Sequence, residues 1–122
     1  MGDRELEDRR SLLERLVKFE LPIEDSIAML RAYGWDSHEE LVVLSAADAV
    51  RILERYLRGE LTARQVEYWA ELLEMRKDVG FEERWSGELR RLISLLANPE
   101  ISEALTPALA VRLRRVLAGE AA

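Results

Sequence analysis

Apolar residues recur along the chain at spacings of three and four positions, which places them on one face of a helix. In the first such segment, Asp3–Phe19, leucine and valine form one stripe while acids and bases alternate over the remaining surface. The same periodicity continues with short interruptions as far as Gly119. The pattern therefore predicts an all-α fold, a compact bundle of six or seven short helices forming a single domain over residues 1–122.

Residues that start and end helices divide this pattern. Proline suits the first helical turn, glycine closes a helix, and serine or threonine three positions before an acid or amide forms a capping box. The predicted helices are Asp3–Phe19, Pro22–Tyr33, Ser37–Leu44, Ser45–Arg58, Thr62–Lys77, Glu83–Ala97 and Thr106–Ala118. The run Leu41–Leu44 is the one place where a strand could form, since it is short, apolar and β-branched. No partner strand is evident, so a helix is expected there.

The clearest boundary lies between the fourth and fifth predicted helices. Gly59 can adopt the left-handed conformation that closes a helix without a Cβ clash. Thr62 and Gln65 have the spacing of a capping box, and Leu61 and Val66 have that of a hydrophobic staple. These residues predict a tight helix–turn–helix junction, which explains them without any chemical role.

Composition and charge narrow the functional classes. The chain has no cysteine, which excludes disulfides and thiolate chemistry, and its net charge of -6 disfavours binding to phosphate backbones. The N-terminus lacks the apolar core of a signal peptide, and no apolar run approaches the roughly 20 residues that span a bilayer. We therefore expect a cytoplasmic protein that binds neither nucleic acid nor membrane.

The charge is unevenly distributed along the chain. Residues 59–83 carry seven acids against three bases, whereas residues 84–122 carry six arginines against four acids. The main basic cluster comprises Arg90, Arg91, Arg112, Arg114 and Arg115. A DNA-recognition helix uses such residues against phosphates, but cations also stabilise the C-terminal end of a helix dipole. The acidic balance of the chain favours the second interpretation.

An acidic line on the predicted helix after Thr62 is the strongest candidate for a functional site. Its carboxylates are spaced by four, three and four positions, so they share one helical face: Glu67, Glu71, Glu74 and Asp78. Such a face could bind a hard metal ion or a basic protein. A metal site would need further ligands on a facing helix, and no Glu-x-x-His pair occurs, so no metal and no cofactor are expected.

Trp85 is the remaining candidate for partner binding. It follows Glu82-Glu83-Arg84 in a break between helices, where an exposed tryptophan beside acids would suit a protein interface. The chain has one histidine, His38, expected to be exposed, and it has neither a nucleophile elbow nor a glycine-rich phosphate loop. These features favour a non-enzymatic role.

The segment Tyr56–Ala63, YLRGELTA, followed by Trp69-Ala70, resembles a motif of small all-helical bacterial proteins. Ala97-Asn98-Pro99-Glu100 and Leu105-Thr106 fit the same uncharacterised family. YLRGELTA is also similar to immunity proteins of the colicin D and pyocin type. This resemblance implies a small, acidic, helical protein that blocks the active site of a basic nuclease toxin.

Three functions remain open at this point. The first is a bacterial protein–protein interaction domain, immunity-like or an adaptor, in which the acidic face meets a basic partner. The second is a metal-dependent hydrolase built on the same carboxylates. The third is a structural homodimer that associates through apolar surface.

Overall fold

The computed structural model describes residues 3–32 and 40–119 of the chain. Within these ranges it contains six α-helices, one 3₁₀-helix and two short strands. In chain order these are α1 (Asp3–Lys18), α2 (Ile23–Ala32), β1 (Val42–Leu44), α3 (Ala46–Leu57), α4 (Ala63–Glu74), β2 (Val79–Phe81), the 3₁₀-helix (Glu83–Trp85), α5 (Ser86–Ala97) and α6 (Pro107–Leu117). The predicted all-α class is confirmed, because helices dominate and the sheet is minimal.

The predicted junction before α4 is confirmed in atomic detail. Gly59 has a φ of +82°, in the left-handed region. The Gln65 backbone N–H donates to Thr62 Oγ1 over 3.1 Å, and the Thr62 N–H donates to Gln65 Oε1 over 2.9 Å. Leu61 is buried beside this capping box. Ser45 and Asp48 form a second capping box at the start of α3, and at the start of α6 Thr106 Oγ1 accepts a hydrogen bond from the Leu109 N–H.

The expectation of a helix at Leu41–Leu44 is wrong. Part of this run forms β1, which pairs in parallel with β2, with Val42 opposite Val79 and Leu44 opposite Phe81. The partner lies 37 positions further along the chain, counted from the Val42–Val79 pair, in a segment that reads as a simple break between helices. Parallel strands need a crossover connection, and here α3 and α4 provide it.

The strand partner is inconspicuous because its middle residue is Gly80, a residue type depleted in strands. The structure shows why a larger residue does not fit there. A Cβ atom at Gly80 would lie 2.5 Å from the carboxyl carbon of Glu40. Close packing therefore favours glycine at this position. Because glycine is uncommon in strands, the sequence pattern does not indicate β2.

Three expectations for residues 33–39 lie wholly or partly outside the described residues. They are the closure of the second helix at Tyr33–Trp35, the Ser37–Glu40 capping box and the exposure of His38.

The core is organised around α4. Trp69 is fully buried, and its indole N–H donates to the backbone oxygen of Val17 in α1 over 3.0 Å. α4 also packs extensively against α5, while α6 packs against α3 and α2 against α1. Among residues 3–32 and 40–119, no helix is both long and apolar enough to cross a bilayer. The position of α4 therefore depends on contacts from both ends of the chain.

Two glycine substitutions test the junction. Gly59→Ala should lower the free energy of unfolding by about 1 kcal/mol, because alanine is strained at positive φ although the surrounding space is open. Gly87→Ala, in α5, should raise it by about 0.5 kcal/mol, since a Cβ there meets only an Arg91 guanidinium nitrogen at 3.7 Å. Urea unfolding measures both changes in the free energy of unfolding. Changes of the same sign would contradict the assignment of Gly59 to a left-handed turn that only glycine adopts without strain.

Candidate functional site

The outer face of α4 carries three of the four predicted acids. The side of the helix that faces the core presents Val66, Trp69, Ala70 and Leu73, all buried. On the opposite side, Glu67 is half-buried, the Glu71 side chain is 38% exposed and Glu74 is exposed. We call Glu67, Glu71 and Glu74 the α4 acidic face. Amphipathic spacing predicted the outward placement of these three acids correctly, because it determines which side of a helix the core covers.

Arg64 is the one cation bonded to the α4 acidic face within the described residues. Its Nη1 donates to Glu67 Oε1 over 2.8 Å and approaches Glu71 Oε1 at 3.4 Å. Glu74 instead accepts a hydrogen bond from Asn98 Nδ2 over 3.2 Å, which joins the end of α4 to the end of α5. One guanidinium therefore bonds to two of the three carboxylates, and within the described residues the face retains a net negative charge.

The turn before α4 adds little to this charge. Glu60 accepts a hydrogen bond from Arg58 Nε over 3.1 Å and lies 3.4 Å from Arg55 Nε. The hydrogen bond from Arg58, with its positive charge and that of Arg55, lowers the pKa of the Glu60 carboxyl. The negative charge of the Glu60 carboxylate is thus balanced by the two arginines beside it. Glu60 therefore adds little to the negative charge of the α4 acidic face.

Asp78 does not belong to this face, and the prediction that it continues the acidic line is wrong. α4 ends at Glu74 with Met75 as its C-cap, so the helical spacing does not extend to Asp78. The Asp78 side chain is completely buried. It is inaccessible to a partner protein in this structure.

Asp78 instead forms a buried ion cluster. Arg76 donates in a bidentate manner, from Nε to Oδ1 over 2.8 Å and from Nη2 to Oδ2 over 2.9 Å. Arg9 in α1 donates to Oδ2 from Nε and Nη2 over 3.3 and 3.2 Å. The backbone oxygen of Asp78 accepts from the N–H groups of Leu41 and Val42, over 2.8 and 3.3 Å. One residue thereby connects α1, the end of α4 and the start of β1.

Trp85 lies apart from the α4 carboxylates. It ends the 3₁₀-helix and is half-buried against the core, with the Arg84 guanidinium 5.4 Å from its ring centroid. Its ring reaches to within 4.0 Å of the Cβ position at Gly119, just beyond α6. In the described part of the chain, no hydrogen bond or ion pair joins it to the α4 acidic face. The structure therefore places this predicted residue beside the end of α6.

A second surface feature is an apolar groove between α5 and α6, which we call the α5–α6 groove. It has a volume of about 180 Å³ and is lined by Glu88, Arg91, Leu92, Leu95, Leu113, Val116 and Leu117. Val116 belongs to the apolar stripe of α6, yet 42% of this residue is exposed. The wide apolar stripe on α6 is the sequence feature that corresponds to the groove. Its width does not show which of its residues lie in the core and which line a groove.

The described residues contain no cluster of ligands that would support the metal site considered from the sequence. Within residues 3–32 and 40–119, no three side chains of His, Cys, Asp or Glu are grouped so that they could hold a metal ion. The acids of α4 follow one another along the helix, and Asp78 points into the interior between two arginines.

Removal of the buried carboxylate should be costly. Asp78→Ala leaves the guanidiniums of Arg9 and Arg76 without this anion in the interior, so we expect a loss of about 3–5 kcal/mol in the free energy of unfolding. Glu71→Ala, on the exposed face, should change it by less than about 0.5 kcal/mol. Urea unfolding followed by circular dichroism measures both. Equal midpoints for the two variants would show that the cluster does not stabilise the fold.

Comparisons of the chain with protein-family models, with curated proteins and with solved structures found no match. The resemblance to immunity proteins of the colicin D and pyocin type therefore stays a prediction. The function has to be argued from the surfaces of the molecule themselves.

Proposed function

We propose that this chain is a non-enzymatic protein-interaction domain whose α4 acidic face binds a basic surface of another protein. The observation that supports the proposal is the arrangement of Glu67, Glu71 and Glu74 on the outer side of one helix, where Arg64 is the one cation bonded to them among residues 3–32 and 40–119. An excess of negative charge on a rigid helix attracts a positively charged partner over several ångströms and orients it during the encounter.

The existing ion pairs do not prevent such binding. The Arg64 side chain is 67% exposed, and exposed ion pairs contribute between about 0 and 1 kcal/mol. A lysine or arginine of the partner can therefore replace Arg64 at little cost. The backbone beneath the face is held in place by the buried Trp69, which bonds to α1. The acids are consequently presented on a support that needs no rearrangement.

The proposal has an immunity-like form and a more general adaptor form. A nuclease that binds nucleic acid presents cations to phosphates, and carboxylates on a helix can occupy the same cations. An acidic helical protein could thus block a bacterial nuclease toxin, as the resemblance of YLRGELTA to immunity proteins implies. In the adaptor form, the same face binds any protein with a basic patch of matching shape.

A charge-reversal experiment tests the acidic face. The tagged chain is used for affinity capture from the native host, and partners are quantified by mass spectrometry. Glu71→Lys/Glu74→Lys should reduce capture of the specific partner by at least about tenfold, because attraction becomes repulsion at the interface. The control is Glu7→Lys/Glu14→Lys on α1, where both acids are exposed and the change in net charge is the same.

The control decides between a specific site and a general charge effect. Partner capture should survive in the α1 variant and be lost in the α4 variant. Unchanged capture by the α4 variant would rule out the acidic face as the binding site, and equal losses in both variants would reduce the effect to net charge.

A further inference from the structure

We propose that the outer edge of β1 binds an extended segment of a partner protein, which adds to the sheet as a third strand. This edge lies on other elements than the α4 acidic face, so the proposal does not depend on the proposed function. It rests on the direction of the Val43 backbone groups, on the hydrogen bond that Arg10 makes to the neighbouring carbonyl, and on a groove beside the strand.

The register of the sheet determines which backbone groups of β1 point outward. In a parallel pair, a residue that bonds to the neighbouring strand does so with both its N–H and its C=O, and the next residue turns both groups to the other side. Val42 donates its N–H to the Asp78 oxygen over 3.3 Å. The Leu44 oxygen accepts the Glu82 N–H over 2.9 Å. Val42 and Leu44 therefore face β2, and the N–H and C=O of Val43 between them point to the outer edge.

This outward pair is available for binding. Within the described residues, no group bonds to the backbone N–H or C=O of Val43, and the residue is 54% exposed. Two positions earlier, the Leu41 oxygen accepts a hydrogen bond from Arg10 Nε of α1 over 3.1 Å. A side-chain donor thus occupies the place that a backbone N–H of an added strand would take at Leu41. At Val43 no such substitute is present among these residues.

A groove beside the edge provides room for the added strand. It lies between α1 and β1 and has a volume of about 400 Å³, and we call it the α1–β1 groove. α1 lines it with Glu14, Val17 and Lys18, and β1 lines it with Val42 and Val43 among others. Val17 and Val42, at 3% and 8% exposure, form its apolar base. Neighbouring strands lie about 4.7–4.9 Å apart, so a third strand would run through the groove itself.

The backbone groups determine the kind of partner. A helix cannot satisfy Val43, because the N–H and C=O groups along a helix bond to one another. An extended segment presents free N–H and C=O groups at strand spacing and pairs with a sheet edge. Its successive side chains point to opposite faces. Every second side chain would therefore contact the base of Val17 and Val42, and the others would face solvent.

Charge contributes little to this recognition. The charged residues that line the α1–β1 groove are Glu14, Lys18 and Asp48. The Asp48 carboxylate belongs to the capping box of α3, where it accepts the Ser45 N–H over 3.1 Å, and it lies 3.9 Å from Arg51 Nη1. Glu14 and Lys18 carry opposite charges one helical turn apart. The groove is therefore suited to a segment of alternating apolar and polar residues with low net charge.

Amide hydrogen exchange of the full chain, followed by NMR, tests the direction of the edge. The Val43 N–H should exchange at least about tenfold faster than the N–H groups of Val42 and Leu44, because these two are bonded to β2. Similar protection of all three amides would overturn the proposal, since the Val43 N–H would then already have a partner.

A synthetic peptide then tests binding at the edge. The probe is a short, labelled, neutral peptide in which valine and threonine alternate. The comparison peptide has the same sequence with every backbone nitrogen methylated, so it has no N–H to donate. At saturation the unmodified peptide should slow exchange of the Val43 amide by at least about tenfold, because this amide becomes bonded. The methylated peptide should leave the exchange rate unchanged.

Two substitutions at one position separate backbone pairing from side-chain contact. Val43→Pro removes the outward N–H, and proline is tolerated on an edge strand whose N–H faces solvent. It should weaken binding of the unmodified peptide, measured by fluorescence anisotropy, by about tenfold or more. Val43→Thr keeps the N–H and a β-branched side chain, so it is the matched control and should bind within about twofold. Circular dichroism verifies that both variants fold, and the exchange measurements on the unaltered chain test the proposal independently of them.

Three further results would overturn the proposal. The first is no binding of the unmodified peptide at millimolar concentration. The second is binding that neither methylation of the peptide nor Val43→Pro weakens. The third is a concentration-dependent dimer in sedimentation that Val43→Pro abolishes, since the edge would then pair with a second copy of this chain.

Discussion

The buried carboxylate of Asp78 is the interaction on which the arrangement of the chain depends. Burying an ion costs several kcal/mol even after relaxation, so this carboxylate is stable inside the protein only with its cations in place. Arg9 approaches it from α1 and Arg76 from the segment after α4. Its backbone oxygen also accepts hydrogen bonds at the start of β1. Docking of α1, termination of α4 and pairing of the two strands are therefore coupled through one residue.

Local signals explain why most of the fold is predictable from the sequence. Thr62, Gln65 and Gly59 act within a few positions of one another, so their spacing is sufficient to fix the turn before α4. The β1–β2 pair is different, because its two short strands are far apart in the chain and one of them contains Gly80. Nothing local marks them as partners. The sequence also fails to predict the burial of Asp78. Its spacing of four residues from Glu74 would place it on the same helical face, but α4 ends at Glu74.

The α4 acidic face and the α5–α6 groove differ in the same way, because local sequence signals predict the first and not the second. The α4 acidic face follows from amphipathicity, because Val66, Trp69 and Leu73 define the inner side and leave the acids outside. The α5–α6 groove cannot be predicted in this way. An apolar stripe indicates that one side of a helix is buried, but it does not indicate which element covers that side. Val116 belongs to such a stripe, yet 42% of it is exposed. Only the packing of α5 and α6 on separate partners reveals the opening.

The α4 acidic face and the α5–α6 groove differ in the kind of contact that each can make. On the outer side of α4, Glu67 and Glu71 are partly exposed to solvent with Arg64 beside them, so a charged partner is attracted there by a field that salt screens beyond about 8 Å. The groove is lined mainly by leucine and valine, with one arginine and one glutamate. Contact there depends on the burial of apolar area, which is short-ranged and does not require charge. Raising the salt concentration should therefore weaken binding at the first surface much more than binding at the second.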